Sequence, residues 1–373
     1  MPRNPYFDYT NFTCDPYLEP GYVTIDTGNF SNNYWTSYNP ACPRAPDYVH
    51  DMIAGKSMPW LEGKTILLIG DSVDRLNARY FCDALNGVDV GWFHYHYGKD
   101  SHLYVENVTF VGEDGETYPL HPQLEVGTCN VEKYNFEIIY YFHHINYDDD
   151  PLYLWRDGKL LAPSNFETRL PAALKAIMQR AGRKPDIVSI GGGTFSTFDL
   201  TEGWWDLAST TRVEIRDEIP SKEGIDPPIL EYWLQRATKY VDTIEQLIPN
   251  TFMMYRFLHF GVVCPPSHAA NGKTSWGTWV LLDVNSNYWK LDQTPRAPFH
   301  EVRVSEMNNL HQVLLERRPQ VYKFSWGQLL SGHKDVYAPG DFLHPGPSAA
   351  RIWSNMFLYY LSLLKQDGSQ HVS

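Results

Sequence analysis

The chain has 373 residues, of which 43% are hydrophobic and 20% charged, and its formal net charge is −13. This composition predicts a globular protein with one large α/β domain or two smaller ones. The acidic balance argues against nucleic acid or an anionic membrane surface as the main partner. No apolar run reaches the roughly 18 residues needed to cross a membrane, so no membrane span is predicted in this chain.

Residues 1–60 are rich in Pro, Asn, Tyr and Gly and show little periodicity, which predicts an irregular segment that packs on the core. A disulfide between Cys14 and Cys42 would staple this segment. The chain has five cysteines, so at least one is free or bonded to another molecule. The sequence does not decide the pairing.

Three glycosylation sequons begin at Asn11, Asn29 and Asn107. The first residues lack the apolar core of a signal peptide. We therefore expect a protein of the secretory lumen (Golgi) or the extracellular space whose targeting segment lies outside this chain. If the N-terminus is the native one, a cytoplasmic location is expected instead.

Apolar runs and helical periodicity alternate over residues 61–366, and a polar tail, 367–373, follows. The predicted strands are Thr65–Ile69, Val88–Phe93, Leu103–Phe110, Phe136–Phe142, Ile187–Ile190, Thr251–Phe257 and Gln320–Phe324. The predicted helices are Ser72–Leu85, Phe166–Ala181 (broken or kinked near Pro171), Ile229–Leu247, Val302–Arg317 and Pro347–Leu364. This alternation predicts an α/β fold with a parallel, doubly wound sheet.

In such a sheet, ligands bind beyond the carboxyl ends of the strands. Gly70-Asp71-Ser72 lies at one of these ends, immediately before a helix. There the Ser72 hydroxyl would meet the free N–H groups of the helix N-terminus, which favour an oxyanion. The competing interpretation is that Asp71 or Ser72 only caps the helix.

A nucleophilic serine needs a general base, and Asp341-x-x-His344 precedes the last helix. His344 would take the proton from Ser72, and Asp341 would hold the imidazole in the required tautomer. The competing interpretation of this pair, taken alone, is an Asp helix cap beside a surface histidine. The two motifs together, near opposite ends of the domain, are more specific than either one.

Two long segments carry a family resemblance, "LEGKTILLIGDSVDR" (61–75) and "DFLHPGPSAARIWSNMFLYYL" (341–361). They resemble the SGNH (GDSL-type) esterase superfamily. More narrowly, they are similar to its PC-esterase, or trichome-birefringence-like, branch of plant and fungal glycan O-acyltransferases and esterases, as a fungal-like member. Shorter matches support this: the N-terminal Cys14-Asp15 and Cys42-Pro43, the Lys184–Val188 stretch, and Tyr255-Arg256 with His259-Phe260.

The resemblance implies a three-layer α/β/α sandwich with a Ser72–His344–Asp341 triad. The Ser72 backbone N–H would form part of the oxyanion hole. The chain departs from the family after strand Ile187–Ile190, where Gly191-Gly192-Gly193 replaces the usual oxyanion-binding Asn. Losing such a donor costs about 3–4 kcal/mol in known enzymes. Gly193 is the candidate substitute, and Gly98 is the candidate for the second-block glycine.

Candidate substrate-binding residues surround these motifs. An Arg-Asn pair is usual after the nucleophile block, and here the order is Arg75-Leu76-Asn77. Arg256 could bind a carboxylate or phosphate, or form a structural ion pair. His259 could face the site or be a packed histidine, and Trp204-Trp205 could stack on sugars or pack in the core. The predicted set is Asp71, Arg75, Arg256, His259, Trp204 and Trp205.

The predicted function is O-acyl, mainly O-acetyl, transfer to or hydrolysis of a carbohydrate through an acyl-enzyme on Ser72. The predicted partners are a carbohydrate or acylated glycan and, for transfer, an acetyl donor; no cofactor or metal is predicted. The alternatives are a degenerate member that binds glycans without turnover and a small-molecule acyltransferase. A long distance between Ser72 Oγ and the His344 ring would favour the non-catalytic alternative.

Overall fold

The computed structural model describes residues 4–10, 12–90, 109–111, 117–119, 126–143, 166–191, 227–259, 301–331, 333, 336 and 344–365. The N-terminal segment contains an antiparallel hairpin, β1 (Gly21–Thr24) with β2 (Tyr34–Ser37), and a short helix, α1 (Tyr48–Ile53). It is therefore less irregular than predicted, because strands of four residues are too short for their alternation to stand out in sequence. The expected Cys14–Cys42 disulfide is present.

Seven strands form the main sheet. They are β3 (Thr65–Gly70), β4 (Val88–Val90), β7 (Val126–Val131), β8 (Phe136–Phe142), β9 (Ile187–Ile190), β10 (Phe252–Arg256) and β11 (Val321–Phe324). The short strands β5 (Thr109–Val111) and β6 (Thr117–Pro119) pair separately. The order in the sheet is β11-β10-β9-β3-β8-β7-β4. Strands β11 to β8 are parallel, and β7 is antiparallel to both of its neighbours. The mostly parallel sheet is confirmed.

Helices cover both faces of this sheet. They are α2 (Ser72–Ala84), α3 (Phe166–Ala181), α4 (Pro227–Leu247), α5 (Glu301–Glu316), α6 (Trp326–Leu329) and α7 (Pro347–Ser362). One buried cluster joins α2, α7 and the N-terminal segment to one face, and a second joins α3, α4 and α5 to the other. The predicted three-layer α/β/α sandwich is confirmed. None of the described helices is long and apolar enough to cross a membrane.

The observed elements differ from the predicted ones in several places. Strand β7 was not predicted, because its sequence VGTCNV lacks a clear apolar alternation. A break or a kink was predicted near Pro171; helix α3 continues through this residue, so the break is wrong and the kink stays a prediction. The predicted strands Val88–Phe93 and Leu103–Phe110 lie largely outside the described residues, and only their parts in β4 and β5 are observed.

A second disulfide, Cys82–Cys129, joins helix α2 to strand β7. The fifth cysteine, Cys264, lies outside the described residues.

The N-terminal segment is held to the core by Phe7, whose ring lies 4.9 Å from that of Phe252 and 5.1 Å from that of Tyr322. These contacts hold the N-terminal segment against the first residues of strands β10 and β11.

The register of the parallel strands aligns three residues at the carboxyl edge of the sheet. Ile69 pairs with Ile190, and Ile190 pairs with Tyr255. The next residue on each strand is therefore level with the others: Gly70, Gly191 and Arg256. In this order, β8 lies on one side of β3, and β9, which follows β8 in the chain, lies on the other side. Strand β3 therefore stands at the switch point of the strand order, where open α/β sheets bind ligands.

Candidate active site

The turn between β3 and α2 is held by hydrogen bonds from two sides. Asp71 caps the helix, with its Oδ1 accepting from the backbone N–H of Val73 at 2.9 Å. The Tyr140 hydroxyl, on neighbouring strand β8, donates to the carbonyl oxygens of Gly70 (3.1 Å) and Asp71 (2.9 Å). Asp71 therefore does cap the helix, and this leaves Ser72 as the first helical residue at the strand end.

Ser72 meets His344 at this turn. The Ser72 Oγ lies 2.7 Å from the Nε2 of His344, which precedes the N-terminus of α7. This distance is within hydrogen-bond range for a nucleophile and its general base. Sequence reasoning brought these residues together across 272 positions of the chain. The structure brings them into direct contact.

Several predicted site residues lie outside the described part of the chain. They are Asp341, Gly193, Gly98, Trp204 and Trp205. Their predicted roles as orienting carboxylate, oxyanion donors and sugar platform stay predictions. The described part of the site consists of the Ser72 turn, His344 and the ends of the central strands.

Beneath the turn lies a buried cluster of three charged side chains. Arg256 Nη2 contacts Asp71 Oδ2 at 3.0 Å, and Arg256 Nε contacts Asp74 Oδ1 at 2.7 Å. The exposed fractions of these side chains are 0% for Arg256 and Asp71 and 3% for Asp74. Arg256 thus forms the ion pair that was the alternative to a direct substrate contact. Asp71 is likewise buried in this cluster and faces the arginine.

Burial and charge act in opposite directions on these groups. Burial opposes ionisation of Arg256, but Asp71 and Asp74 outweigh it and raise the pKa of its guanidinium. Burial raises the pKa of Asp74 to about 6; Arg256 opposes this rise, and the charge of Asp71 adds to it. With both carboxylates ionised, the cluster carries one negative charge in excess.

Gly191 is required by this cluster. A Cβ at position 191 would lie 2.2 Å from Asp74 Oδ2 and 3.1 Å from Arg256 Nη2. A Cβ at Gly70 would lie even closer to the same carboxylate oxygen. The Asp74 carboxylate therefore fills the space in which a family-type Asn at 191 would begin. The Gly191 N–H donates to the carbonyl of Ile69 at 2.7 Å, so it is committed to the sheet.

Arg75 and His259 are the remaining predicted site residues that the structure describes. Arg75 is half-buried in the first turn of α2, and its backbone N–H donates to the Asp71 carbonyl at 3.2 Å. His259 is 2% exposed and packs beside Trp326, with ring centroids 5.8 Å apart. The packed-histidine interpretation therefore describes His259.

Sequence reasoning missed Asp74 and Tyr140. Two acidic residues three apart at a helix start are read as cap and dipole partners, so nothing local marks Asp74 as an arginine ligand. A buried arginine at a strand end needs carboxylate partners, and that requirement was the available signal. The position of Tyr140 opposite Leu68 becomes visible only once the β3–β8 register is known.

No family model matches the chain, and no curated protein matches it. Among solved structures, it is similar to the native aryl esterase of M. smegmatis, with 16% identity and a TM-score of 0.34. The match covers 81% of this chain and all of that one. A likeness at this distance carries no argument about function.

Proposed function

We propose that the protein is an SGNH-type serine esterase or acyltransferase in which Ser72 is the nucleophile and His344 its general base. The observation that carries this proposal is the 2.7 Å contact between Ser72 Oγ and His344 Nε2 at the carboxyl end of the central strand. The non-catalytic alternative does not require these groups to meet. The short distance therefore favours the enzyme.

In the proposed reaction, Ser72 Oγ attacks the carbonyl carbon of an ester while its proton moves to His344 Nε2. The resulting tetrahedral oxyanion collapses, the ester C–O bond breaks, and the leaving alcohol takes the proton from His344. Water, or a hydroxyl of an acceptor, then attacks the acyl-enzyme and gives its proton to the same nitrogen. Collapse of the second intermediate releases the acid or new ester and returns the proton to Ser72.

Support for the oxyanion comes from the position of Ser72 at the start of α2. Its backbone N–H is among the first-turn groups that have no acceptor within the helix, at the positive end of the helix dipole. We assign Gly193 as a second backbone donor and Asp341 as the partner of His344 Nδ1, on their places in the sequence motifs. The family's Asn is replaced at Gly191, whose N–H is already used in the sheet.

We assign an O-acetylated carbohydrate as the substrate on the family resemblance and the aromatic-rich sequence, with Trp204 and Trp205 as candidate sugar-stacking residues. Hydrolysis and transfer share the acyl-enzyme and differ only in the acceptor. Assays with acetylated oligosaccharides, with and without a free sugar acceptor, separate the two reactions. Release of acetate alone identifies an esterase, and a new sugar ester identifies a transferase.

We also propose a secreted or lumenal location. Two disulfides fit an oxidising compartment. The sequon at Asn29 is exposed, and the Ser31 hydroxyl donates to the Asn29 side chain at 2.6 Å. Expression in a eukaryotic secretory host should therefore attach a glycan that glycosidase treatment removes and that Asn29→Gln reduces by one unit. An unmodified Asn29 peptide in secreted protein would contradict this assignment.

The nucleophile is tested by labelling with a fluorophosphonate, in which Ser72 Oγ would form a P–O bond and fluoride would leave. We expect a single adduct on the Ser72 peptide by mass spectrometry, and none in Ser72→Ala. Ser362→Ala is the matched control, because Ser362 lies at the far end of α7 and bonds to the Tyr359 carbonyl. This control should label as the wild type does. An adduct that persists in Ser72→Ala would contradict the proposal.

A further inference from the structure

Arg256 reaches the Ser72 turn from across the sheet. It ends strand β10, which lies two strands away from β3, the strand that leads into Ser72. Neighbouring strands are about 4.8 Å apart, so the side chain bridges a gap of roughly 10 Å. Gly191, at the end of the strand between them, leaves this path open, since a Cβ there would lie 3.1 Å from Arg256 Nη2 and 3.2 Å from its Nε. This edge of the sheet therefore admits the guanidinium to helix α2.

The guanidinium holds α2 at two points, one on each side of Ser72. Arg256 Nη2 donates to Asp71 Oδ2 at 3.0 Å, and its Nε forms an ion pair with Asp74 Oδ1 at 2.7 Å. Asp71 is the helix cap, one residue before Ser72, and Asp74 lies in the first helical turn, two residues after it. Because one planar group makes both contacts, they restrict rotation of this turn as well as its displacement.

A second anchor holds the same turn from the opposite side. The Tyr140 hydroxyl, on β8, is hydrogen-bonded to the carbonyls of Gly70 and Asp71. In the sheet, β8 lies on one side of β3, and β10 lies beyond its other neighbour. The turn is thus held from two directions. The orientation in which Ser72 Oγ contacts His344 Nε2 at 2.7 Å depends on both anchors.

We propose that Arg256 is a positioning residue, whose two contacts hold Ser72 in the orientation in which it meets His344. This inference rests on the proposed function of Ser72. The Arg256 side chain is 0% exposed, so it acts through the turn and not on the substrate. A shift of about 1 Å in a reacting group can cost about a hundredfold in rate. Lysine is no substitute, because its ammonium is a point charge without a planar fork.

The test separates the rate of reaction at Ser72 from the affinity for the label. A fluorophosphonate binds with a dissociation constant, KI, and then reacts with a maximal rate constant, kinact; labelling at a series of concentrations gives both. We expect Arg256→Lys to lower kinact by about tenfold or more and to leave KI within about twofold of the wild-type value. Circular dichroism first establishes that the variant is folded under the assay conditions.

Arg318→Lys is the matched control. Arg318 is also buried and also contacts an aspartate through two nitrogens, since its Nε and Nη2 both donate to Asp242 Oδ1. It stands just before β11, at the amino ends of the parallel strands, opposite the edge that carries Ser72. The same substitution there should lower the free energy of unfolding and leave kinact within about twofold of the wild-type value. An equal fall in kinact in both variants would mark a general structural effect and overturn the inference.

Other outcomes also decide the inference. An unchanged kinact in Arg256→Lys overturns it, whether KI is unchanged or raised. If Arg256→Lys does not fold, Asp71→Asn takes its place, because one side-chain oxygen fills only one of the two places that Asp71 Oδ1 and Oδ2 occupy. This variant should likewise lower kinact at an unchanged KI, and a wild-type kinact would overturn the inference. A label that is absent from Ser72 in the wild type overturns the proposed function, and the inference with it.

Discussion

Replacing Gly191 with alanine should destabilise the protein by about 3 kcal/mol, although alanine adds only one carbon atom. The new Cβ would lie 2.2 Å from Asp74 Oδ2, whereas ordinary contacts begin at 3.4 Å, so the carboxylate would have to retreat by about 3.4 − 2.2 = 1.2 Å. Gly70 bars movement to the other side, since the same oxygen already lies against it. The retreat would break the 2.7 Å contact with Arg256.

The magnitude follows from these two costs. Overpacking a well-packed site costs about 1–3 kcal/mol, and breaking one partner out of a buried ion pair costs about 3–5 kcal/mol. Because Asp71 keeps Arg256 paired, the lower part of the second range applies. Removing the Asp74 carboxylate should remove the clash. In the double variant Gly191→Ala with Asp74→Ala, the loss in free energy of unfolding should therefore be about 2 kcal/mol less than the sum of the losses in the two single variants.

The assay is urea unfolding followed by circular dichroism, with Gly28→Ala as the matched control. A Cβ at Gly28 would make only an ordinary 3.4 Å contact, so that variant should stay within about 0.5 kcal/mol of the wild type. If Gly191→Ala were as stable as Gly28→Ala, the Asp74 carboxylate would not occupy the space beside position 191. Additive single costs would refute the contact between the two residues.

Further predictions concern the supports of the site. Tyr140→Phe removes a hydroxyl that is hydrogen-bonded to two carbonyls of the turn before Ser72, so it should lower the free energy of unfolding by about 1 kcal/mol and also slow the labelling of Ser72. The control, Tyr134→Phe, loses comparable hydrogen bonds far from this turn and should lower stability alone. Equal labelling rates in the two variants would contradict the role of Tyr140. Because burial raises the pKa of Asp74 from 3.8 to about 6, its stabilising contribution is complete below pH 4 and is lost as pH rises through 6, by up to about 3 kcal/mol. Thermal melts of Asp74→Asn should lack this part of the pH dependence, and an unchanged difference from the wild type at pH 4 and pH 8 would argue against it. Removing the Cys82–Cys129 disulfide by double alanine substitution should cost about 2–5 kcal/mol in urea unfolding, and a loss below 1 kcal/mol would indicate that the bond adds little.

The buried parallel strands and the two contacting site residues could be predicted from sequence because each has a local signal. An apolar run such as Thr65–Ile69 needs burial on both faces, and Ser72 and His344 stand in recognisable motifs. The roles of Asp74 and Gly191 could not be predicted, since they depend on the register of β3, β9 and β10. That register places three chain segments within one side chain's reach, and no local pattern records it.

The glycine at 191 shows how register changes an interpretation. From sequence, it was a missing oxyanion donor. In the structure, it is the space that admits a carboxylate which pairs with Arg256. The glycine that replaces the family's Asn therefore has a structural reason, because a side chain at position 191 would displace the Asp74 carboxylate from the buried ion cluster.

The most direct test of the account is peptide mapping after fluorophosphonate labelling of the wild type, Ser72→Ala and His344→Ala. The contact between Ser72 Oγ and His344 Nε2 predicts one adduct on Ser72, none in Ser72→Ala, and a labelling rate at least a hundredfold lower in His344→Ala, on the order of what a general base contributes. Rapid labelling of Ser72 in His344→Ala, or no adduct on Ser72 in the wild type, would contradict the account.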